Sequence, residues 1–150
     1  MGHRRWAFRD LSSGGAQPMR SPSGRYVRTF NGECYNWREV RDEETRHGAT
    51  WRGHSDTEVM LAAFECWGVD GSLRRFNGMF AFALWDRKER QLHLARDRIG
   101  EKPLYYGWMG DSLLFGSELK ALRAHPAGTG EVDRDALAAC LHLPEGEDGY

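Results

Sequence analysis

The chain has 150 residues, with 21 Lys and Arg against 22 Asp and Glu, a net charge of −1. That length suits one domain, and a chain of this size buries roughly 68–70% of its unfolded surface. The charge balance argues against a nucleic-acid reader that relies on bulk positive charge and against a polyacidic tail protein, and no apolar run approaches the ~18 residues of a membrane span.

In chain order, the basic start Met1 to Trp6 is followed by no apolar segment, so no signal peptide is expected. Ser12–Gly15 and Ser21–Gly24 read as turns. The β-rich run Arg25 to Phe30 predicts a strand, with Tyr26 and Val27 apolar and Arg28 polar. Asn36 followed by Glu39 is close to a capping box, and Gly48 can end the helix it opens. Ser55-Asp56-Thr57-Glu58 is a cleaner box, predicting a helix from about Asp56 to Trp67 with Gly68 just past its end. Met79 to Trp85 alternates large and small apolar residues, which predicts a strand buried on both faces. A polar turn at Asp86–Arg90 leads to a returning strand, Gln91–Arg96. Leu104–Trp108 and Ser112–Phe115 predict a second hairpin. Ser117 is expected to cap a short helix through Leu122, and Asp133 another through about His142. Antiparallel hairpins with helices grouped outside them predict an α+β fold rather than a βαβ sheet. No Gly-rich phosphate loop is present.

Cys34, Cys66 and Cys140 are odd in number and far apart, so three reduced thiols of a cytoplasmic protein are expected. Cys66 and Cys140 read as packing residues. The six histidines show no ligand spacing, and no metal site is expected. Arg96-Asp97-Arg98 reads as a structural charge cluster that orders the loop before Pro103, and Arg41-Asp42-Glu43-Glu44 as a solvated helix face.

Chemistry concentrates at Asn31-Gly32-Glu33, at the junction between a strand and a helix. An Asn side-chain amide and a Gly N–H can aim two donors at one oxygen, as an oxyanion hole requires. A plain Asn-Gly turn is the alternative. Glu33 and Asp56 suit a cationic ammonium group, and Arg5 could offer a fork to a carboxylate. Together these groups would recognise an α-amino acid with a carbonyl side chain.

The chain resembles the glutamine-hydrolysing domain of asparagine synthetases, a class II (N-terminal nucleophile) glutamine amidotransferase. The resemblance runs in order through Gly2-His3-Arg4-Arg5, Gln17-Pro18-Met19, Phe30 to Asn36, Gly53 to Val59, Asn77 to Asp86, Ala95 to Tyr106 and Gly116 to Leu122. It implies a four-layer αββα sandwich of antiparallel sheets. It also implies that Arg5 holds the glutamine α-carboxylate and that the backbone of Trp6, Ala7, Phe8 and Arg9 lines the pocket. Asn31 and Gly32 would form the oxyanion hole, and Glu33 and Asp56 would receive the α-ammonium. The family's nucleophile is an N-terminal cysteine. This sequence starts inside the family's pattern, so a missing N-terminal strand, an open sheet edge and a chain inactive by itself are expected. The ATP-dependent synthetase domain, with its ATP and magnesium, is expected outside this chain, and no cofactor within it. Expected partners are L-glutamine, a synthetase domain or full-length relative, and a second copy of the chain.

Two details depart from the family. Cys34 stands where an aliphatic residue is usual, and Trp6 where a Leu is usual. Cys34 is expected to be a small apolar substitute: Glu33 beside it would raise its thiol, and it has no free α-amine as base. A non-catalytic glutamine-binding or docking module is the rival reading, with another class II amidotransferase as a third. Ser55-Asp56-Thr57-Glu58 and the run Arg96 to Tyr106 look more like the asparagine synthetase branch.

Overall fold

The computed structural model describes residues 16–51, 53 and 55–126, which fall into two units divided after Tyr105. The first unit is built on an antiparallel sheet. Its strands are β1 (Met19–Arg20), β2 (Tyr26–Cys34), β3 (Gly78–Asp86) and β4 (Gln91–Arg96), in that spatial order. Helices α1 (Trp37–Arg46) and α2 (Asp56–Arg75) lie between β2 and β3 in sequence. The second unit carries the hairpin of β5 (Tyr105–Met109) and β6 (Ser112–Gly116), followed by α3 (Leu119–Arg123). The predicted helix after Asp133 and the turn at Ser12–Gly15 lie outside the described residues.

β2 and β3 pair along their whole length, from Tyr26↔Asp86 to Cys34↔Gly78. Alternation then sorts their side chains. Phe80, Phe82 and Leu84 share the core cluster with Tyr26, Phe30 and Cys34 and with Val59, Met60 and Phe64 of α2. Phe64 sits at its centre, with ring centroids 5.5 Å from Phe82, 5.8 Å from Phe76 and 6.0 Å from Tyr26. Truncating such a ring costs about 3–5 kcal/mol. Ala81 and Ala83 lie between these aromatics in sequence and are also buried. The large-small alternation of the predicted strand is thus a division between two faces.

Several local readings are corrected. The predicted strand 25–30 continues to Cys34, and the short β1 was not foreseen. Asn36 precedes α1 but makes no capping bond. Its side chain instead accepts from Asn77 N (2.8 Å) and donates to Arg75 O (2.9 Å), tying the end of β2 to the α2–β3 junction. Ser55 does cap α2, accepting from Glu58 N at 3.2 Å, but the Glu58 carboxylate turns outward to Gly53 N (2.9 Å). Gly68 breaks the helix as expected, at φ +69°, yet helix resumes and runs to Arg75. The last short helix is preceded by Glu118, with no side-chain cap from Ser117.

Two charged residues, one expected on a solvated helix face and one in a polar turn, are buried. Glu44, counted on the polar face of α1, is fully buried, with no hydrogen-bond partner for either carboxylate oxygen among the described residues. Burial, with Glu43 adding to it, pushes its carboxyl up to about 8. Asp86 is buried at the β3–β4 turn, where it accepts from Arg25 Nη2 (2.6 Å), Lys88 N (2.9 Å) and Glu89 N (3.1 Å). The Arg25 bond leads, burial opposes and the two turn amides assist; the net effect brings its carboxyl down to about 2. Conversely Cys66, expected to pack, is exposed. Among the described residues no helix is long and apolar enough to cross a membrane.

Candidate functional site

Asn31, Gly32 and Glu33 lie within β2, opposite Ala81, Phe80 and Met79. They are not a plain turn but the last part of β2, and the segment Phe30 to Asn36 joins that strand to α1, as expected. Gly32 has φ +142°, a region that side chains rarely enter. A Cβ built there would stand 2.1 Å from Met79 O and 2.6 Å from Phe80 Cα. On the facing strand, a Cβ at Gly78 would stand 2.2 Å from Glu33 O. Two glycines therefore let β2 and β3 approach where the candidate donors sit. The backbone at Gly32 is one that its neighbours cannot copy.

Asp56 comes from a different element, the first turn of α2, where a negative charge complements the helix dipole. Its Oδ2 accepts the Cys34 N–H at 3.1 Å. That bond fixes the partly exposed carboxylate at the end of β2 that carries Asn31, Gly32 and Glu33. The structure thus brings four of the sequence-selected residues to one strand end. Arg5, Trp6, Ala7, Phe8 and Arg9 lie outside the described residues.

Cys34 is fully buried, as a small apolar substitute should be. Its thiol is pushed up to about 12, first by burial and then by the Asp56 charge. The expected culprit, Glu33, is not among the causes. Arg28 was missed altogether. Read as the polar member of its strand, it is fully buried against α2, donating from Nη2 to Thr57 O at 2.9 Å. Its guanidinium lies over the Phe30 ring, 4.5 Å from the centroid. The signal was present in the alternation: positions 26, 28 and 30 share a face, and both neighbours are core aromatics.

Beyond this strand end lies a cleft of about 750 Å³ lined by Tyr35, Leu73, Gly78, Met79, Leu94, Arg96 and Ile99, among others. None of Asn31, Gly32, Glu33 and Asp56 lines it, although Gly78 and Met79 pair with Cys34 and Glu33. Asp97 shapes its rim. The carboxylate accepts from Phe80 N (3.2 Å), Glu101 N (2.8 Å) and Lys102 N (2.9 Å). Burial opposes its charge, but these amides and that of Gly100 outweigh burial and hold its carboxyl below the usual carboxylate range. Arg96 donates to Lys102 O (2.8 Å) and to Gly100 O, and Arg98 to Phe76 O (3.1 Å). The charge cluster orders the loop, as expected. No group of three or more His, Cys, Asp and Glu is placed to hold a metal among the described residues.

An α+β chain with a glycine-dependent strand end facing a fixed carboxylate has counterparts among amidotransferases. A glutamine phosphoribosylpyrophosphate amidotransferase from B. subtilis, complexed with ADP and GMP, superposes with a TM-score of 0.67 at 28% identity. The match covers 80% of this chain and 28% of that one. A structure described as the allosteric regulatory enzyme of purine biosynthesis superposes with a TM-score of 0.59 at 26% identity, over 71% of this chain and 24% of that one. The fold is accordingly that of the N-terminal nucleophile hydrolase type.

The sequence matches the glutamine amidotransferase domain family over residues 1–147, and the chain belongs to that family. It is 44% identical over 144 residues to asparagine synthetase (glutamine-hydrolyzing) 3 of Bacillus subtilis, covering 95% of this chain and 23% of the relative. A putative asparagine synthetase (glutamine-hydrolyzing) of Mycobacterium tuberculosis is 46% identical over 137 residues, 87% of this chain and 21% of the relative. The chain spans less than a quarter of the length of these relatives.

Proposed function

We propose that this chain binds L-glutamine as the glutamine-hydrolysing part of an asparagine synthetase-like enzyme, which supplies ammonia for ATP-dependent amidation of aspartate. The observation that carries this reading is the Asp56–Cys34 hydrogen bond, which holds a carboxylate from α2 at the strand end bearing Asn31, Gly32 and Glu33. The relatives named above, glutamine-hydrolysing by description, support it.

Each end of the amino acid then has a chemical counterpart. The Arg5 fork takes the α-carboxylate, and the backbone of Trp6 to Arg9 lines the pocket. Glu33 and Asp56 receive the α-ammonium. When a thiolate adds to the side-chain amide, the carbonyl oxygen becomes an oxyanion. The Asn31 amide and Gly32 N–H donate to it, ammonia leaves and water releases glutamate. Removing one such donor typically costs about 2.7–4 kcal/mol of transition-state stabilisation. Cys34 does not supply the thiolate, since burial holds its proton up to about 12.

Titration calorimetry with glutamine tests the reading. Binding is expected, weakened roughly tenfold or more by Glu33→Gln or Asp56→Asn, since hydrogen bonds to charged groups contribute about 1.5–3 kcal/mol. A wild-type chain that does not bind glutamine refutes it.

A further inference from the structure

Arg28 is the least expected group near the candidate site. It is a fully buried cation, yet Nε and Nη1 have no hydrogen-bond partner among the described residues. Nη2 donates to Thr57 O, next to Asp56 in the first turn of α2. Burial pushes the guanidinium down to about 9, and the Asp56 charge is the first influence opposing that fall. Cys34 lies within reach of both charges: Asp56 raises its thiol and Arg28 lowers it. Arg28, Cys34 and Asp56 therefore meet at the α2 N-terminus, the first two fully buried and the carboxylate partly exposed. A charge buried there is screened less than one in open water and acts over several ångströms.

We infer that Arg28 is a specificity-determining residue acting through Asp56: a buried counter-cation that offsets this carboxylate's pull on an α-ammonium group. The inference rests on the glutamine reading above and adds to it. Asp56 faces a ligand on one side and a fixed positive charge on the other. An ammonium entering the site feels both. The site thus discriminates less sharply between glutamine and the same amide acid without its ammonium than its two carboxylates alone would. Arg28 touches no ligand in this account. It tunes the field at Asp56 and pins the turn that carries it.

The test compares binding of glutamine and of glutaramate, which lacks the α-ammonium, by calorimetry on the full chain. The variants are Arg28→Met, Arg28→Gln and Arg28→Lys. Met fills similar volume without charge and without a buried donor left unbonded. Gln keeps a donor for Thr57 O, and Lys keeps the charge. Arg28→Met and Arg28→Gln should raise the glutamine-to-glutaramate affinity ratio by roughly three- to tenfold, the scale expected of one charge removed near the site. Arg28→Lys should leave the ratio near wild type. A simple structural role gives loss of affinity instead, so a gain is diagnostic. An unchanged or lowered ratio in the neutral variants overturns the inference while leaving glutamine binding intact. So does failure of both neutral variants to fold when Arg28→Lys folds normally. A wild-type chain that binds neither compound removes the glutamine reading itself, and this inference with it.

Discussion

Replacing Glu44 with glutamine removes a buried acid whose ionisation and folding oppose each other. The carboxyl sits in α1 with no exposed surface and no partner for either oxygen among the described residues. It is pushed up to about 8, from 4.5 for the free group. Below pH 4.5 it is protonated in both folded and unfolded chains and has no pH effect. As pH rises from there toward 8, the unfolded chain ionises and the folded chain does not, so stability falls. The slope approaches 1.4 kcal/mol per pH unit, which gives an upper limit of roughly 3 kcal/mol between pH 5 and 7.5. Glutamine has nothing to ionise and should remove this slope. Urea denaturation at pH 5.5, 6.5, 7.5 and 8.5 measures it directly. The wild-type midpoint should fall across the series relative to the variant, with the gap widest at the alkaline end. Parallel midpoints across the series would refute the reasoning, because they would mean Glu44 is ionised at no cost in the fold.

Asp86 should behave with the opposite sign. Its lowered carboxyl stabilises the fold above pH 3.8 and loses that effect as pH falls toward 2, so Asp86→Ala should cost about 1–2 kcal/mol at pH 7 after solvent screening of Arg25, and little in strong acid. Thermal melts at pH 7 and pH 2.5 compare the two. Gly32→Ala places a methyl 2.1 Å from Met79 O at a forbidden φ, and should reduce soluble folded protein sharply, with a penalty of about 3 kcal/mol or more; normal melting would contradict the close approach of β2 and β3. Iodoacetamide at pH 8 should label Cys66 in the native chain and Cys34 only in denaturant, as peptide mapping by mass spectrometry would show.

The local code of this chain announced its elements. The Ser55 cap, the Gly48 and Gly68 stops and the polar turn after Trp85 depend on backbone donors and φ values that neighbouring residues determine, so they are visible in sequence. The alternation from Met79 to Trp85 likewise revealed a strand buried on both faces, because period-two patterning is local. The ordered motifs led to the family. Other features required the packed chain. Asn36 faced a choice between capping α1 and bridging Arg75 to Asn77, and the bridge formed because two distant backbone groups arrive beside it. Glu44 looked like one more charge in an acidic run, and Arg28 like the polar member of a strand. Their burial depends on where α1, α2 and β2 meet, which no window of neighbours contains. The same holds for Asp56. Its helix start was legible, but its hydrogen bond to Cys34 exists because α2 lies across the sheet, bringing a helix N-terminus to a strand end 22 residues away. Proximity between residues distant in sequence is a property of the tertiary fold, and the candidate site is made of it.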